Sequence, residues 1–164
     1  MEQFIQSLIS STGSILSPEL IIFLISMMPV LELRGGMLAA SILGIDWKLA
    51  MIICIIGNIL PIPFILLFFK KIFIKLKGTR FSNYVNKFES KVMKKSEKVF
   101  KYRNFGLFLF VAIPIPGTGA WTGSIIASLF GMDIKHVVIS LSAGVLAASV
   151  VMAVLSYGVL GAFI

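Results

Sequence analysis

Pro114-Ile115-Pro116-Gly117-Thr118-Gly119 cuts the middle of residues 104–132, a stretch of 29 residues without charge. Two prolines remove backbone donors and two glycines admit left-handed conformations, so no single regular helix runs through. The arms on either side, residues 105–113 and 120–132, are 9 and 13 residues long. As helices they measure about 14 and about 20 Å, short of a hydrocarbon core of ~30 Å. Working back along the chain, residues 20–45 are interrupted in the same way by Pro29, Glu32, Arg34, Gly35 and Gly36. Broken backbone at membrane depth is tolerated only where protein or water covers it. The expectation is two re-entrant helical hairpins whose tips meet near the midplane. Two kinked spanning helices are the competing expectation.

Two other stretches satisfy the length of a plain span. Residues 49–69 hold 21 uncharged positions, and residues 136–164 hold 29 with His136 neutral. Asn58, Pro61 and Pro63 interrupt the first of these. Pro61 removes the donor that would bond Gly57, and the Asn58 side chain is expected to fill the gap.

Composition agrees with this picture. Hydrophobic residues are 58% and charged residues 13% of the 164, with a mean hydropathy of +1.01. A soluble domain averages about 45–50% apolar and about 25% charged. A soluble enzyme is excluded, and with the single Cys54 so is a disulfide-stapled module. The fold class expected is an all-α integral membrane protein in a cell's inner (plasma) membrane, crossing it more than once.

The net charge of +8 is concentrated: twelve of the fifteen Lys and Arg lie within residues 70–103. Such a loop stays cytoplasmic by the positive-inside rule. Phe81, Tyr84, Val85, Phe88 and Val92 recur at helical spacing among its lysines, which predicts an amphipathic segment held against anionic lipid. A nucleic-acid partner is not expected, because no groove-reading motif accompanies the charge. Residues 1–33 contain no Lys or Arg, so they do not read as a secretory signal. Residues 1–18 read as an interfacial helix on the outer side, and both termini are expected outside.

The chain matches itself at an offset of 87. Ala40-Ser41-Ile42-Leu43-Gly44-Ile45-Asp46 falls on Ala127-Ser128-Leu129-Phe130-Gly131-Met132-Asp133, and Pro29, Gly36, Lys48, Ile52 and Gly57 meet identical residues. One unit spans residues 20–69 and the other 104–164, within a single membrane domain. Each is a broken segment followed by a spanning helix. If the broken segment is a hairpin, each unit crosses once and the two are inverted, an arrangement that points to a transporter site.

Glu32 and Arg34 are the informative charges, because each costs about 2.5–3.5 kcal/mol at the bilayer centre. Their partners at the 87 offset are Gly119 and Trp121, so the pair is not repeated. Arg34 offers a fork suited to an anion, with helix N-termini after Gly36 and Gly119 pointing N–H groups at it. Thr118 and Thr122 add hydroxyls, Trp121 lines the route, and Glu32 carries the proton. Pro114, Pro116, Gly117 and Gly123 shape the second tip as Pro29, Gly35 and Gly36 shape the first. Alternatively Glu32 and Arg34 form an ion pair that only holds the fold. Ser140, Gly144 and Ala148 lie four apart and allow close helix packing, within the chain or in a homodimer. One His, one Cys and no metal-ligand spacing predict neither a cofactor, nor a metal, nor an enzyme.

Glu32-Leu33-Arg34-Gly35, Gly57-Asn58-Ile59-Leu60-Pro61-Ile62-Pro63-Phe64 and the run from Pro114-Ile115-Pro116 through Gly119-Ala120-Trp121-Thr122-Gly123 resemble the small multi-drug export protein family. That resemblance implies an efflux protein. The hairpin-plus-helix unit distantly resembles the DedA superfamily, some of whose members are linked to moving polyprenyl-phosphate lipids. DedA proteins carry an arginine in the second hairpin, where this chain has Trp121 and Thr122. The function expected is a transporter or lipid translocase for an anionic or amphipathic substrate, such as a polyprenyl-phosphate lipid or a drug-like compound, driven by protons. A non-transporting scaffold and a small ion channel are the alternatives.

Overall fold

The computed structural model describes residues 17–77, 103–115 and 117–159. Nearly all of the expected interfacial helix, residues 78–102 of the basic segment, Pro116 and residues 160–164 lie outside the described residues. All regular structure among the described residues is helical. In order it comprises α1 (Pro18–Met27), α2 (Glu32–Ile42), α3 (Trp47–Ile59), α4 (Ile62–Lys77), α5 (Arg103–Ala112), α6 (Ala120–Leu129) and α7 (Ile134–Ala153), which runs on as a π-helical turn over Val154–Val159.

Local chemistry sets the boundaries. Ser17 caps α1, its hydroxyl accepting from Leu20 N at 3.4 Å, and Pro18 takes the first position, where no donor is needed. α2 and α6 end alike. Gly44 and Gly131 adopt φ of 69° and 60°, a left-handed conformation that costs glycine nothing. The amides of Gly44 and Ile45 return to Ser41 and Ala40, and those of Gly131 and Met132 to Ser128 and Ala127. Asp46 then caps α3, accepting from Leu49 N at 3.4 Å, and Asp133 caps α7, accepting from His136 N at 3.3 Å. Each of these residues lies 87 positions from its counterpart. The His136 ring, 2.7 Å from Asp133, holds that exposed carboxyl below the ordinary range. That cap is therefore present at neutral pH and lost only as the pH falls through the lowered value.

Packing follows the same pairing. α1 folds back on α2 and both lie against α3, while α5 and α6 lie against α7. α6 also packs on α4, and α7 runs beside α3. Small residues permit this. A Cβ on Gly57 would stand 2.8 Å from the Phe23 carbonyl, and one on Gly144 would stand 2.9 Å from the Phe108 carbonyl. Gly144 thus serves contact within the chain, against α5. Gly35 and Gly36 lie inside α2 rather than at a helix start, and Gly36 faces Ser26 and Cys54. Gly123, inside α6, faces Leu141, which stands 87 residues beyond Cys54.

Among the described residues, two helices are long and apolar enough to cross a membrane. They are Trp47–Phe73, which bends through the turn at Leu60 and Pro61, and Ile134–Gly158. Their 27 and 25 residues exceed the roughly 20 that a span needs. Phe64, Leu67 and Phe68 of α4 and Ile139, Leu146 and Val150 of α7 are exposed, an apolar surface suited to lipid rather than water. Pro63 occupies the second position of α4, where a proline is tolerated. No bond from the Asn58 amide to the Gly57 carbonyl is among the described contacts; Asn58 is buried, and its Oδ1 meets no hydrogen-bond donor.

Gly57→Ala and Gly144→Ala should each lower stability by about 1–3 kcal/mol, because a rigid backbone carbonyl blocks the new methyl. Gly106→Ala, where nothing lies within 4 Å, should be neutral or slightly stabilising. Thermal unfolding in detergent would check this; equal effects at all three positions would contradict the packing.

Candidate functional site

The two interruptions meet. The turn between α1 and α2 and the break between α5 and α6 are joined by side chains that each half sends into the other's backbone.

Glu32 opens α2 with φ of +50°, the one left-handed non-glycine residue among those described. Such a conformation costs about 1–2 kcal/mol and persists only where surrounding contacts hold it. Glu32 is 7% exposed, its carboxyl lies directly on Gly119, and its Oε1 accepts from Trp121 N at 3.0 Å. Gly119 precedes α6 and has no side chain with which to cap it. Glu32 supplies that cap from the other half, placing a carboxyl at the positive end of the α6 dipole.

Arg34, one turn into α2, does the converse. Its Nη1 donates to the Ile115 carbonyl, and its Nη2 donates to the carbonyls of Thr118 and, at 3.2 Å, Ile113. Nη2 also donates to Thr118 Oγ1 at 3.0 Å. These oxygens follow the end of α5, and those of Ile113 and Ile115 also accept from the amides of Ile115 at 2.8 Å and Thr118 at 3.1 Å. The Thr118 hydroxyl lies 2.8 Å from Ile115 O and 3.0 Å from Ile113 O, which tightens the same bend. Gly117, with φ of 87°, turns the chain there, just after Pro114 and Ile115.

Trp121 returns the contact. Its indole Nε1 donates to the Met27 carbonyl, the last of α1, at 3.2 Å. Arg34 and Trp121 stand 87 residues apart, and each donates to the carbonyl end of the other half's first arm. Farther out, Ser41 Oγ donates to Ser156 O at 2.9 Å, while Ser128 Oγ, 87 residues on, donates to Ser124 O in its own helix at 2.8 Å and lies 3.3 Å from Leu66 O. Tyr157 adds a bond from its hydroxyl to Ile45 O at 2.9 Å.

A cavity of about 30 Å³ opens beside the contact, lined by Pro29, Val30 and Leu31 of the first turn, by Glu32 and Arg34, and by Gly117 to Gly119 and Thr122. It has room for about one or two water molecules and for no larger ligand as it stands.

Of the residues expected to form the site, Glu32, Arg34, Thr118, Trp121 and Thr122 do come together, with Pro29, Gly117 and Gly119 around them. Gly35, Gly36 and Gly123 are packing residues inside helices, and Asn58, Pro61 and Pro63 belong to the bend between α3 and α4. Pro116 lies outside the described residues. Two expectations are corrected. No helix begins after Gly36, and the N-terminus of α6 is occupied by Glu32 rather than open to an anion. Glu32 and Arg34 also form no direct ion pair, because each is bound to backbone of the opposite half. The carbonyls of Met27, Ile113 and Ile115 were not foreseen. The signal was present in the 87-residue offset, which sets a side-chain donor, Trp121, opposite Arg34. Ser124, whose hydroxyl donates to Ala120 O at 2.6 Å, is a buried helix serine without a neighbouring base among the described contacts.

No curated protein matches the chain. No solved structure matches it either, and the likeness to the DedA superfamily is not shown by any comparison. Residues 32–151 match the family described as "Putative small multi-drug export protein". The matched segment starts at Glu32, ends inside α7 and includes Glu32, Arg34, Ile113, Ile115, Thr118, Gly119 and Trp121. On that match, which covers most of the chain, the protein belongs to the family of putative small multi-drug export proteins.

Proposed function

We propose that this protein moves an amphipathic compound across a membrane through the junction of two inverted units, with Glu32 as the proton carrier. The observation that carries the reading is the exchange of charged and polar side chains between the two interruptions. A pair of breaks held only for structure would be served by neutral donors such as Trp121. Keeping a carboxylate and a guanidinium at membrane depth costs several kcal/mol that a neutral brace would not.

The reciprocity of the contacts supports the inverted arrangement. Residue 32 meets residue 119, and Arg34 reaches Ile113, Ile115 and Thr118 while Trp121 reaches Met27. Contacts exchanged in this way are the mark of a two-fold axis. If each broken pair of helices enters and leaves on one face, each unit crosses once, and the axis lies in the membrane plane. The two units are then re-entrant hairpins, each followed by a spanning helix.

Protons act through the cap. A charged Glu32 holds the Trp121 amide and the start of α6; a protonated Glu32 holds them less tightly. Loosening this contact widens the small cavity towards the size of a substrate. Arg34 has its donors on carbonyls, so an anionic substrate would have to draw it away from three of them. A second reading is favoured by one observation: the described hydrogen bonds of Glu32 go to backbone, and those of Arg34 to backbone and Thr118. On that reading the pair is a brace in a protein that transports nothing.

Glu32→Gln should remove the pH dependence of substrate movement in proteoliposomes, assayed with a fluorescent cationic drug and with labelled polyprenyl phosphate, while the protein stays folded. Arg34→Lys should impair movement nearly as much as Arg34→Ala, because a point charge cannot bridge several carbonyls. Normal transport by Glu32→Gln at every pH would remove the proton role. Full activity in a doubly apolar Glu32→Leu/Arg34→Leu protein would favour the brace.

The inverted arrangement, with residues 70–103 inside, puts Asp133, Lys135 and His136 inside and both termini outside. A C-terminal reporter active only in the cytoplasm should be silent. A strong signal from it, with Lys135 labelled from outside, would replace the hairpins by kinked spans.

A further inference from the structure

We propose that the oxygens now surrounding the Arg34 guanidinium form a binding site for the cationic head of an amphipathic compound, a guanidinium or amidinium group above all. The proposal rests on the transport reading and assigns the substrate a charge. Arg34 is then a tethered occupant of the site, displaced when substrate enters and restored when it leaves.

The groups facing the guanidinium are all acceptors. They are the carbonyls of Ile113, Ile115 and Thr118 and the Thr118 hydroxyl oxygen. The carbonyls that follow α5 stand at the negative end of its dipole, which favours a cation. With Arg34 withdrawn, the one charge lining the cavity is the Glu32 carboxylate. An anion entering there would meet several oxygens and a like charge, whereas a planar cation with forked N–H donors would find the partners that Arg34 has now. The repeat points the same way. The position equivalent to Arg34 carries Trp121, which makes its cross-contact with one neutral donor, so a brace at this place does not require a cation.

The rim suits the rest of an amphipathic molecule. Val30, in the turn that walls the cavity, is 83% exposed, and Ile115 is 53% exposed. These side chains offer an apolar surface next to the ring of oxygens, so a tail can lie against them while the head enters.

The test is equilibrium binding to purified protein in detergent. Trp47→Phe leaves Trp121 as the sole tryptophan, bonded through its amide to Glu32. This protein, alone and with Arg34→Ala added, is titrated with methylguanidinium, with sodium and with inorganic phosphate at constant ionic strength. Methylguanidinium should change Trp121 fluorescence saturably in both, with at least about tenfold tighter binding once the tethered competitor is gone. Adding Glu32→Gln should weaken it by at least about tenfold, the loss of one charge-assisted partner. Sodium and phosphate should give no saturable change. A response to phosphate or sodium in place of methylguanidinium, or equal affinity with and without Arg34, would overturn the proposal. Should Arg34→Ala not fold, the Arg34-containing protein decides alone: a saturable methylguanidinium response abolished by Glu32→Gln supports the site, and no response removes it. Binding does not depend on transport. Methylguanidinium bound by a protein that moves nothing would retire the transport reading and leave the cation site standing.

Discussion

A helix broken within an apolar bundle exposes N–H groups at one new end and carbonyls at the other, and both need partners. Each such group left bare costs several kcal/mol. In this protein the break between α5 and α6 is closed by two residues two positions apart on another helix. Glu32 takes the amide end and Arg34 the carbonyl end, each placed against the dipole it complements. The rest of the structure arranges itself around that contact. The Schellman turns at Gly44 and Gly131 and the caps at Asp46 and Asp133 fix how each broken segment hands on to its long helix. The glycines at positions 57 and 144 let α1 and α5 lie close enough for the tips to touch.

The contact also accounts for an asymmetry that sequence comparison reads differently. Glu32 and Gly119 are equivalent positions, and they meet each other. Two large side chains cannot share a point that each would occupy, so a carboxylate at one position requires the smallest residue at the other. A Cβ on Gly119 would coincide with the Glu32 carboxyl. The absence of a second Glu–Arg pair is therefore a steric consequence of this contact. Two positions out from this point there is room on both sides, and there both halves carry a donor, Arg34 and Trp121.

Much of this was legible in the residues. Pro114, Gly117 and Gly119 announced the second break, and the match of residues 40–46 with residues 127–133 announced two turns that prove alike bond for bond. Glu32, Arg34, Thr118 and Trp121 were picked out because charge, hydroxyl and indole stand out in an apolar chain. Their partners were not legible, because backbone carbonyls carry no sequence signature. Nothing in the letters says that Arg34 would spend its fork on Ile113, Ile115 and Thr118 rather than hold it open. Gly35 and Gly36 misled for a related reason. Glycine serves both turns and close helix packing, and Ser26 and Cys54, which decide between the two, are distant in sequence. Asn58 was given a hydrogen bond by local reasoning, yet α3 turns it into the core, where its Oδ1 finds no donor.

The most direct test is the state of the Trp121 amide. Nitrogen-15 labelling of tryptophan leaves two backbone amides to observe, those of Trp47 and Trp121. By NMR in a lipid nanodisc, the Trp121 amide should resist exchange with water and resonate downfield, as expected of a donor to a carboxylate. Glu32→Gln should move that resonance and speed its exchange, while the Trp47 amide stays in place. A Trp121 amide that exchanges as fast as a solvent-exposed one and ignores the Glu32 substitution would show that the two interruptions are not joined as described here.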